Sequence, residues 1–369
     1  MAFEIAIGCN VRKSPYFEAT VADGVVSFSV YNHMLAPAHF GDPEREYRAL
    51  SENVVMWDVA CERQVELAGP DAERLMRYLT PRDISATVVG QGKYVPICDY
   101  DGLLINDPVL QKLSDDCFWL SIADSDILLW AKAIAAERRL DVRVSEPDAS
   151  PLGVQGPRAD DVVAELFGDW VRGLRHFRFQ ETKLGSMPIL LARSGWSKQA
   201  VSNCICEIPD AAPSCTNELR KLARHSASSP AHRATLNAWK AACCPDGADA
   251  RYNVNPFEAG LGAFVDLDRD DDFVGKAALR RIAEEGVRRR RVGYVIGGDR
   301  INGISEWHDV KLGHNVVGKV TEAVYSPRLG KNIAVGLLAS EIGDDEGQLA
   351  TDFDDGPRSV TVCGLPFLK

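Results

Sequence analysis

A chain of 369 residues, with 46% hydrophobic and 26% charged side chains, has the composition of a globular protein and is long enough for two or three domains. Its formal net charge of −11 argues against the basic face that a nucleic acid or an anionic membrane surface would require. Because no basic segment precedes the first apolar residues and no window contains 18 uncharged apolar residues, we expect a cytoplasmic protein without a membrane span.

The N-terminal part of the chain predicts a strand, a connection, a helix and a second strand. Residues Val25 to Val30 have the pattern of a strand, and the turn-rich segment from Tyr31 to Pro37 is typical of a connection. Glu44 to Asn53 then predicts a helix, and Val54 to Val59 a buried strand.

Residues 65–144 mix strands and helices without a regular parallel repeat. The predicted helices are Pro70–Tyr78 and Ser125–Arg138, and the clearest predicted strands are Gly92–Cys98, Gly102–Leu113 and Cys117–Ala123. This order of elements is typical of an α+β fold rather than of a doubly wound parallel sheet.

Asp107 is a carboxylate within the apolar strand predicted for Gly102–Leu113. Carboxylates are seldom buried without a hydrogen-bond donor or a cation beside them, so this side chain has an electrostatic role. Two interpretations are open from the residues alone: a structural hydrogen-bond acceptor, or a charged group in a binding site.

The stretch from Leu191 to Gln199 ends another apolar strand, predicted for Met187–Ala192, and turns at a Ser-Gly pair. It then presents Trp196 and Lys198 close together. A rigid strand that ends in a glycine turn can hold side chains at a pocket, although a hairpin with a packed tryptophan explains the same pattern.

The last part of the chain alternates Val, Ile and Tyr with turn residues, and this pattern predicts a small β-barrel. The predicted strands are Val292–Ile296, Val316–Val320, Ile333–Leu338 and Ser359–Cys363.

Several motifs together resemble the glycine cleavage T-protein (aminomethyltransferase) superfamily, and most closely its dimethylsulfoniopropionate demethylase branch. They are Trp57–Val65, Gly153–Pro157, Leu191–Gln199, Asn255–Leu261, Phe273–Lys276 and Gly318–Thr321. The resemblance implies an α+β fold of three domains arranged as a cloverleaf around a central folate cleft, with a C-terminal β-barrel. It places domain 1 at residues 1–50 plus 150–250, domain 2 at 51–149, a connecting segment at 251–285 and the barrel at 286–369.

The resemblance also implies a site and a reaction. The expected residues are Asp107 in catalysis, Ser121, Trp196 and Lys198 for the substrate, and Tyr31, Met34, Tyr94, Asn203 and Ile205 for the cofactor. The implied reaction moves a methyl group from a sulfonium substrate to tetrahydrofolate. An aminomethyltransferase and a folate-binding protein without catalysis are the alternatives. No metal is expected, and a homodimer is left open.

Residues 200–246 depart from the family although their flanks match it. Where the family has Glu and Tyr in a Gly-Gly-Phe-Glu-x-Tyr motif, this chain has Asn203 and Ile205. Read in the neighbouring frame, the codons for residues 200–207 can encode Gly-Gly-Phe-Glu-Leu-Tyr-Leu-Arg, and those for 234–245 can encode the family's folate-side Arg segment. Two compensating frameshifts or a true divergence are the two explanations.

The same window contains five of the ten cysteines: Cys204, Cys206, Cys215, Cys243 and Cys244. Their spacing does not have the two-residue gap that is usual in zinc sites, so the frameshift accounts for them better than a metal does. We expect the window to fit the fold less well than its flanks.

Overall fold

The computed structural model describes residues 7–195, 201–206, 229–230, 253–344, 347–365 and 367, and for 201–206 and 229–230 it describes the backbone alone. Within these residues there are six α-helices: α1 Phe17–Ala22, α2 Pro43–Glu52, α3 Ala72–Leu79, α4 Ile127–Glu137, α5 Ala159–Phe167 and α6 Lys276–Glu285. Two short 3-10 helices lie at Asp169–Gly173 and Gly262–Phe264. None of the described helices is long and apolar enough to cross a membrane.

The strands are mostly antiparallel. In chain order they are β1 Ser27–Tyr31, β2 Met34–His39, β3 Val55–Asp58, β4 Gln64–Ala68, β5 Gln91–Tyr94, β6 Ile97–Cys98, β7 Leu104–Asn106, β8 Val109–Ser114, β9 Cys117–Ser121, β10 Arg143–Ser145, β11 Ser150–Gln155, β12 Arg178–Leu184, β13 Met187–Arg193, β14 Val201–Cys206, β15 Ser229–Pro230, β16 Arg289–Ile296, β17 His308–Leu312, β18 Asn315–Ser326, β19 Lys331–Ala339, β20 Leu349–Phe353 and β21 Gly356–Cys363.

One continuous sheet joins the two regions that the sequence predicts as domains 1 and 2. Its strand order is β10-β4-β9-β8-β5-β12-β13-β14-β11-β3-β15. The two halves meet where Arg178 of β12 pairs with Gln91 of β5. We call β10-β4-β9-β8-β5 the first half of the sheet and β12-β13-β14-β11-β3-β15 the second half.

Helices α3 and α4 cover one face of the first half. In α3 the buried residues Ala72, Leu75, Met76 and Leu79 recur at helical spacing, so the helix has one apolar side. They pack into a core with the strand residues Val65, Leu67, Leu110, Phe118 and Leu120. Because side chains alternate along a strand, the residues between these point to the opposite face of the sheet.

The C-terminal barrel is closed by six strands in the order β16-β19-β18-β17-β20-β21. A Cβ added at Gly336 would lie 1.9 Å from the carbonyl oxygen of Lys319, so only glycine allows β19 to approach β18 there. The barrel predicted from the alternating pattern is confirmed by this closed arrangement.

Residues 253–285 connect the sheet to the barrel. Glu258, which is 4% exposed, accepts hydrogen bonds from Arg289 Nε at 3.0 Å and from its Nη2 at 2.9 Å. This two-point pair is a charge-assisted contact with fixed geometry. It anchors the first barrel strand to the connecting segment.

Several expectations about local structure differ from what the chain adopts. The segment predicted as a connection after β1 contains β2, which pairs with β1 as a hairpin. The long strand predicted for Gly102–Leu113 is split into β7 and β8, because Pro108 has no N–H to continue a ladder. The weak pattern at 201–206 nevertheless forms β14, which pairs with both β11 and β13. The rest of that window lies outside the described residues, apart from β15.

Candidate functional site

The sequence predicts Asp107 inside a strand. In the structure it lies in the break between β7 and β8. The neighbouring Asn106, 4% exposed, holds the backbone of this break. Its Oδ1 accepts the N–H of Asp107 at 2.9 Å and that of Ala123 at 3.0 Å, and its Nδ2 donates to the carbonyl of Ala123 at 3.0 Å. The carboxylate is therefore carried on a short, hydrogen-bonded segment, and it is half-buried.

The phenol of Tyr94 donates a hydrogen bond to the Asp107 carboxylate. Tyr94 pairs with Val109 across β5 and β8, Val109 pairs with Ser121 across β8 and β9, and Ser121 pairs with Gln64 across β9 and β4. Directly paired residues share one face of a sheet. We call these four residues, of which Val109 alone is apolar, the polar row. It lies on the face opposite α3 and α4.

Within the polar row, Gln64 is fully buried and its amide is close to two oxygens. The Nε2 atom lies 2.8 Å from the backbone carbonyl oxygen of Glu62 and 3.0 Å from Oγ of Ser121. Ser121 itself is half-buried. Adjacent strands are about 4.8 Å apart, so Ser121 is about 10 Å from Tyr94 along the row.

The β1-β2 hairpin docks beside this face through Asn32. Its backbone N–H donates to Asp124 at 2.7 Å, and its side-chain amide donates to the carbonyls of Cys61 and Ala123, each at 3.0 Å. Since Asn32 and His33 both have positive φ angles, 48° and 59°, the hairpin has the two-residue turn that matches the twist of its strands. Both Asn32 and Asn106 bind the carbonyl of Ala123, and this shared contact brings the hairpin and Asp107 to one loop.

Two of the expected cofactor residues flank this hairpin turn. Tyr31 pairs with Met34, Tyr31 is partly buried, and Met34 is only 7% exposed. Met34 packs in the hydrophobic core of the second half, together with residues of β11 and β13. A contact between either side chain and a cofactor stays a prediction.

Arg82, a cation that the sequence analysis did not select, lies beside Tyr94. The guanidinium of Arg82 donates to the carbonyl of Tyr94 and lies 4.6 Å from the centre of the Phe264 ring. The Phe264 ring in turn meets Tyr94 edge to face at 5.5 Å. Burial lowers the pKa of Arg82, and burial together with the nearby charge of Arg82 lowers the pKa of Lys93.

The second half of the sheet carries the positions of the family's Gly-Gly-Phe-Glu-x-Tyr motif. Asn203 pairs with Ala192 and Gly153, and Ile205 pairs with Leu190 and Pro151, so positions 203 and 205 are in register with both neighbouring strands. Trp196 and Lys198 lie outside the described residues.

Two buried polar groups of the second half have no hydrogen-bond partner within the part of the chain that the structure describes. They are both amide atoms of Gln155, which is 0% exposed, and Nε1 of Trp57. Gln155 pairs with Val55 and Gly153 pairs with Trp57 across β11 and β3, so the two unpartnered side chains are diagonal neighbours on one face.

The fold defined by this sheet and barrel is that of a known class of transferases. The aminomethyltransferase T of Bartonella henselae superposes with a TM-score of 0.85 over 97% of this chain and 98% of that chain, at 19% sequence identity. Residues 16–269 match the GCVT N-terminal domain, and residues 289–369 match the glycine cleavage T-protein C-terminal barrel domain. The chain belongs to the glycine cleavage T-protein family.

Relatives of two named activities align over almost the whole chain. The dimethylsulfoniopropionate demethylase DmdA of Ruegeria pomeroyi is 38% identical over 365 residues, which cover 96% of each chain. An aminomethyltransferase of Thermotoga sp. strain RQ2 is 28% identical over 369 residues, covering 97% of this chain and 98% of the relative. The family and the fold expected from the sequence motifs are therefore confirmed.

Sequence reasoning selected Tyr94, Asp107 and Ser121 and did not select Gln64 and Arg82, two residues that the structure places beside them. Gln64 is one of four polar residues in the Trp57–Val65 run, and the alternation of polar and apolar residues in β4 offers a usable signal. Arg82 follows Pro81 in a turn, and nothing in its local pattern distinguishes it from a solvated cation.

Proposed function

We propose that the protein is a tetrahydrofolate-dependent methyltransferase that demethylates dimethylsulfoniopropionate, forming methylmercaptopropionate and 5-methyltetrahydrofolate. The observation that carries the proposal is the polar row, in which Tyr94 shares one sheet face with Ser121 and donates a hydrogen bond to Asp107. The 38% identity to a demethylase over 96% of the chain supports the choice of reaction.

The chemistry needs placement more than it needs a nucleophilic side chain. The S–CH3 bond of the sulfonium breaks, its electron pair stays on sulfur, and the product is a neutral thioether. Tetrahydrofolate, when bound, supplies the N5 atom that accepts the methyl group and releases a proton. Holding two reacting atoms in line at near-attack distance lowers a barrier by up to about 7–11 kcal/mol in ideal cases.

The residues of the first half suit this task. Asp107 is a half-buried carboxylate whose position is fixed by Tyr94 and by the Asn106 segment, so it can stabilise a positive charge beside it. Ser121 offers a hydroxyl to the substrate. The family resemblance makes Trp196 the candidate for the sulfonium, a contact worth about 0.5–2 kcal/mol, and it makes Lys198 and Ser121 the candidates for the substrate carboxylate.

The fit of the residues to tetrahydrofolate differs between the two halves of the sheet. The carboxylate of Asp107 and the aromatic rings of Tyr94 and Phe264 are the groups that a flat, hydrogen-bonding pterin requires. Positions 203 and 205 carry an amide and an aliphatic side chain instead of the carboxylate and phenol of the family motif. The first half therefore fits the cofactor, and the second half departs from it.

An aminomethyltransferase is the second candidate, favoured by the 28% identical relatives of that name. A folate-binding protein without catalysis is the third, and it is favoured by Asn203 and Ile205 in place of the motif residues. The demethylase is preferred because the Trp57–Val65 run and Ser121 resemble that branch.

The test is an assay with purified protein, tetrahydrofolate and dimethylsulfoniopropionate, which measures the release of methylmercaptopropionate. Release that depends on tetrahydrofolate supports the proposal. A parallel reaction with an aminomethylated lipoyl carrier in place of the sulfonium identifies the aminomethyltransferase. Binding of tetrahydrofolate without turnover of either donor identifies the protein without catalysis.

A further inference from the structure

We infer that Gln64 is a positioning residue that holds the hydroxyl of Ser121 as a hydrogen-bond donor, and that this arrangement selects a methyl donor with a carboxylate. The inference rests on the proposed function, since it concerns the substrate of the same site. The observation behind it is the direction of the hydrogen bond between Gln64 and Ser121.

The orientation of the Gln64 amide is determined by its neighbours. The two ends of a glutamine amide are easily confused by shape, so their assignment has to come from hydrogen-bond partners. A backbone carbonyl oxygen only accepts, and the carbonyl of Glu62 lies 2.8 Å from one end of the amide. That end is therefore the NH2 group. The same nitrogen lies 3.0 Å from Oγ of Ser121 and has a second hydrogen to give.

The direction of this second bond fixes the role of Ser121. Because Oγ accepts from Gln64, the hydroxyl hydrogen of Ser121 is not used in that contact and is available for another acceptor. Among the described residues the structure shows no hydrogen bond donated by this hydroxyl, although Ser121 is half-buried. A half-buried donor without an acceptor suits an anionic group of a ligand.

The Gln64 side chain, which orients the Ser121 hydroxyl, is held rigidly. Gln64 is 0% exposed and is the direct cross-strand partner of Ser121 in the β4-β9 pair. Both hydrogens of its amide are engaged, so the side chain has no free rotamer to lose when a ligand binds. Oε1 of Gln64 is buried and accepts no hydrogen bond within the described part of the chain. The amide thus acts through its nitrogen.

The consequence is a preference between two classes of methyl or aminomethyl donor. A carboxylate accepts a charge-assisted hydrogen bond from the Ser121 hydroxyl. The N–H groups of an ammonium are themselves donors and cannot accept this bond. Hydrogen bonds to charged groups contribute about 1.5–3 kcal/mol and neutral ones about 0.5–1.5. The difference corresponds to about tenfold in affinity.

The experiment measures binding rather than turnover, so it does not depend on the residues at 203 and 205. Isothermal titration calorimetry compares dimethylsulfoniopropionate with its carboxamide on the full-length protein and on three variants. The Gln64→Glu variant replaces the NH2 group with a carboxyl oxygen, which accepts from Ser121 when the acid is ionised or when its O–H donates to the Glu62 carbonyl. Gln64→Met keeps the length and removes both bonds, and Ser121→Ala removes the hydroxyl.

We expect the unchanged protein to bind the carboxylate more tightly than the carboxamide, and Gln64→Glu to reduce this ratio about tenfold. Gln64→Met should reduce it less, because the released hydroxyl can still rotate towards the ligand. Ser121→Ala should reduce it as Gln64→Glu does, and adding Gln64→Glu to Ser121→Ala should change it no further.

Different results would overturn different statements. If the unchanged protein binds neither sulfonium compound, the proposed function fails. If it binds both and Gln64→Glu leaves the carboxylate-to-carboxamide ratio as it is in the unchanged protein, the proposed function survives and the role of Gln64 is wrong. If circular dichroism shows that Gln64→Glu does not fold, the carboxylate-to-carboxamide ratio is compared in Gln64→Met and Ser121→Ala. A reduced ratio in both supports the role of Gln64, and an unchanged ratio in Gln64→Met contradicts it.

Discussion

The two halves of the large sheet differ in which buried polar atoms of their strands lack a partner among the described residues. In the first half these are acceptors, Oε1 of Gln64 and of Gln111, and in the second half they include donors. In the first half, Gln64 is fully buried and donates to two oxygens, and Tyr94 donates to Asp107. In the second half, both amide atoms of Gln155 and Nε1 of Trp57 are buried without a partner among the described residues. Both sets lie on regular, well-paired strands.

Strand pairing therefore does not explain the difference. Tyr94 and Ser121 of the polar row stand at positions that resemble the family's site, whereas the second half includes positions 203 and 205, where the chain departs from the family motif. A buried polar atom without a partner costs about 1–3 kcal/mol and usually has an explanation. The comparison suggests that the backbone of the site is retained in both halves, and that suitable side chains are retained in one.

The largest expected effect comes from restoring the motif in the second half. We expect the Asn203→Glu, Ile205→Tyr double variant to bind tetrahydrofolate about 100- to 10,000-fold more tightly than the chain as printed, because a carboxylate accepts charge-assisted bonds that an amide accepts only in part. Fluorescence titration measures the affinity. Asn203→Gln with Ile205→Phe is the matched control. Equal affinity in all three proteins would show that these positions do not contact the folate.

Removing the carboxylate of the first half should have the next largest effect. In the background with the restored motif, we expect Asp107→Asn to reduce kcat/KM for dimethylsulfoniopropionate by about 100-fold, because a neutral amide no longer stabilises positive charge at the site. Tyr94→Phe, which keeps the Asp107 charge, should cost about tenfold or less. Initial rates of methylmercaptopropionate release give both values. A larger loss for Tyr94→Phe than for Asp107→Asn would contradict the assignment of roles.

Replacing the buried glutamines tests the comparison through stability alone. Gln155→Leu removes an amide that has no partner among the described residues, so we expect it to raise the free energy of unfolding by about 1–2 kcal/mol. Gln64→Leu removes the two hydrogen bonds that the Gln64 amide donates, so it should lower that energy by a similar amount. Urea unfolding measures both. Destabilisation of equal size in the two variants would mean that Gln155 is paired after all.

A further effect on stability concerns pH and helix α2, which covers β3. Burial raises the pKa of Glu46 in α2 from its ordinary value of 4.5 to about 7, against the N–H groups that favour its charge. A raised carboxyl pKa means that the folded state holds the proton more tightly, so stability is lost as pH rises from about 4.5 through 7.

We expect Glu46→Gln to remove part of this pH dependence and to stabilise the protein at pH 8 by about 1–3 kcal/mol. Its side chain is 3% exposed, so solvent screens the effect little. Thermal unfolding at pH 5 and pH 8 provides the measurement, and Glu44→Gln, on the exposed side of the same helix, is the control. If the two variants have the same pH dependence as the unchanged chain, the charge of Glu46 is not coupled to folding.

The sequence by itself determined the family, the α+β class, the barrel and most elements to within a few residues. The helix predicted for Ser125–Arg138 is Ile127–Glu137, and the strand predicted for Met187–Ala192 is Met187–Arg193. These features depend on local periodicity or on motifs, and both can be recognised from consecutive residues. The sequence also selected Asp107, Tyr94 and Ser121, through motif positions rather than through contacts.

Only the tertiary structure decided which of these residues meet. The polar row joins residues from four strands because cross-strand register, and not sequence spacing, sets which side chains are neighbours. The same register brings Gln64 to Ser121, 57 positions away along the chain. The break that carries Asp107 arises because Pro108 cannot continue the ladder, and Asn106 satisfies the exposed backbone there. Hydrogen-bond direction and burial depend on such distant partners, so no local pattern encodes them.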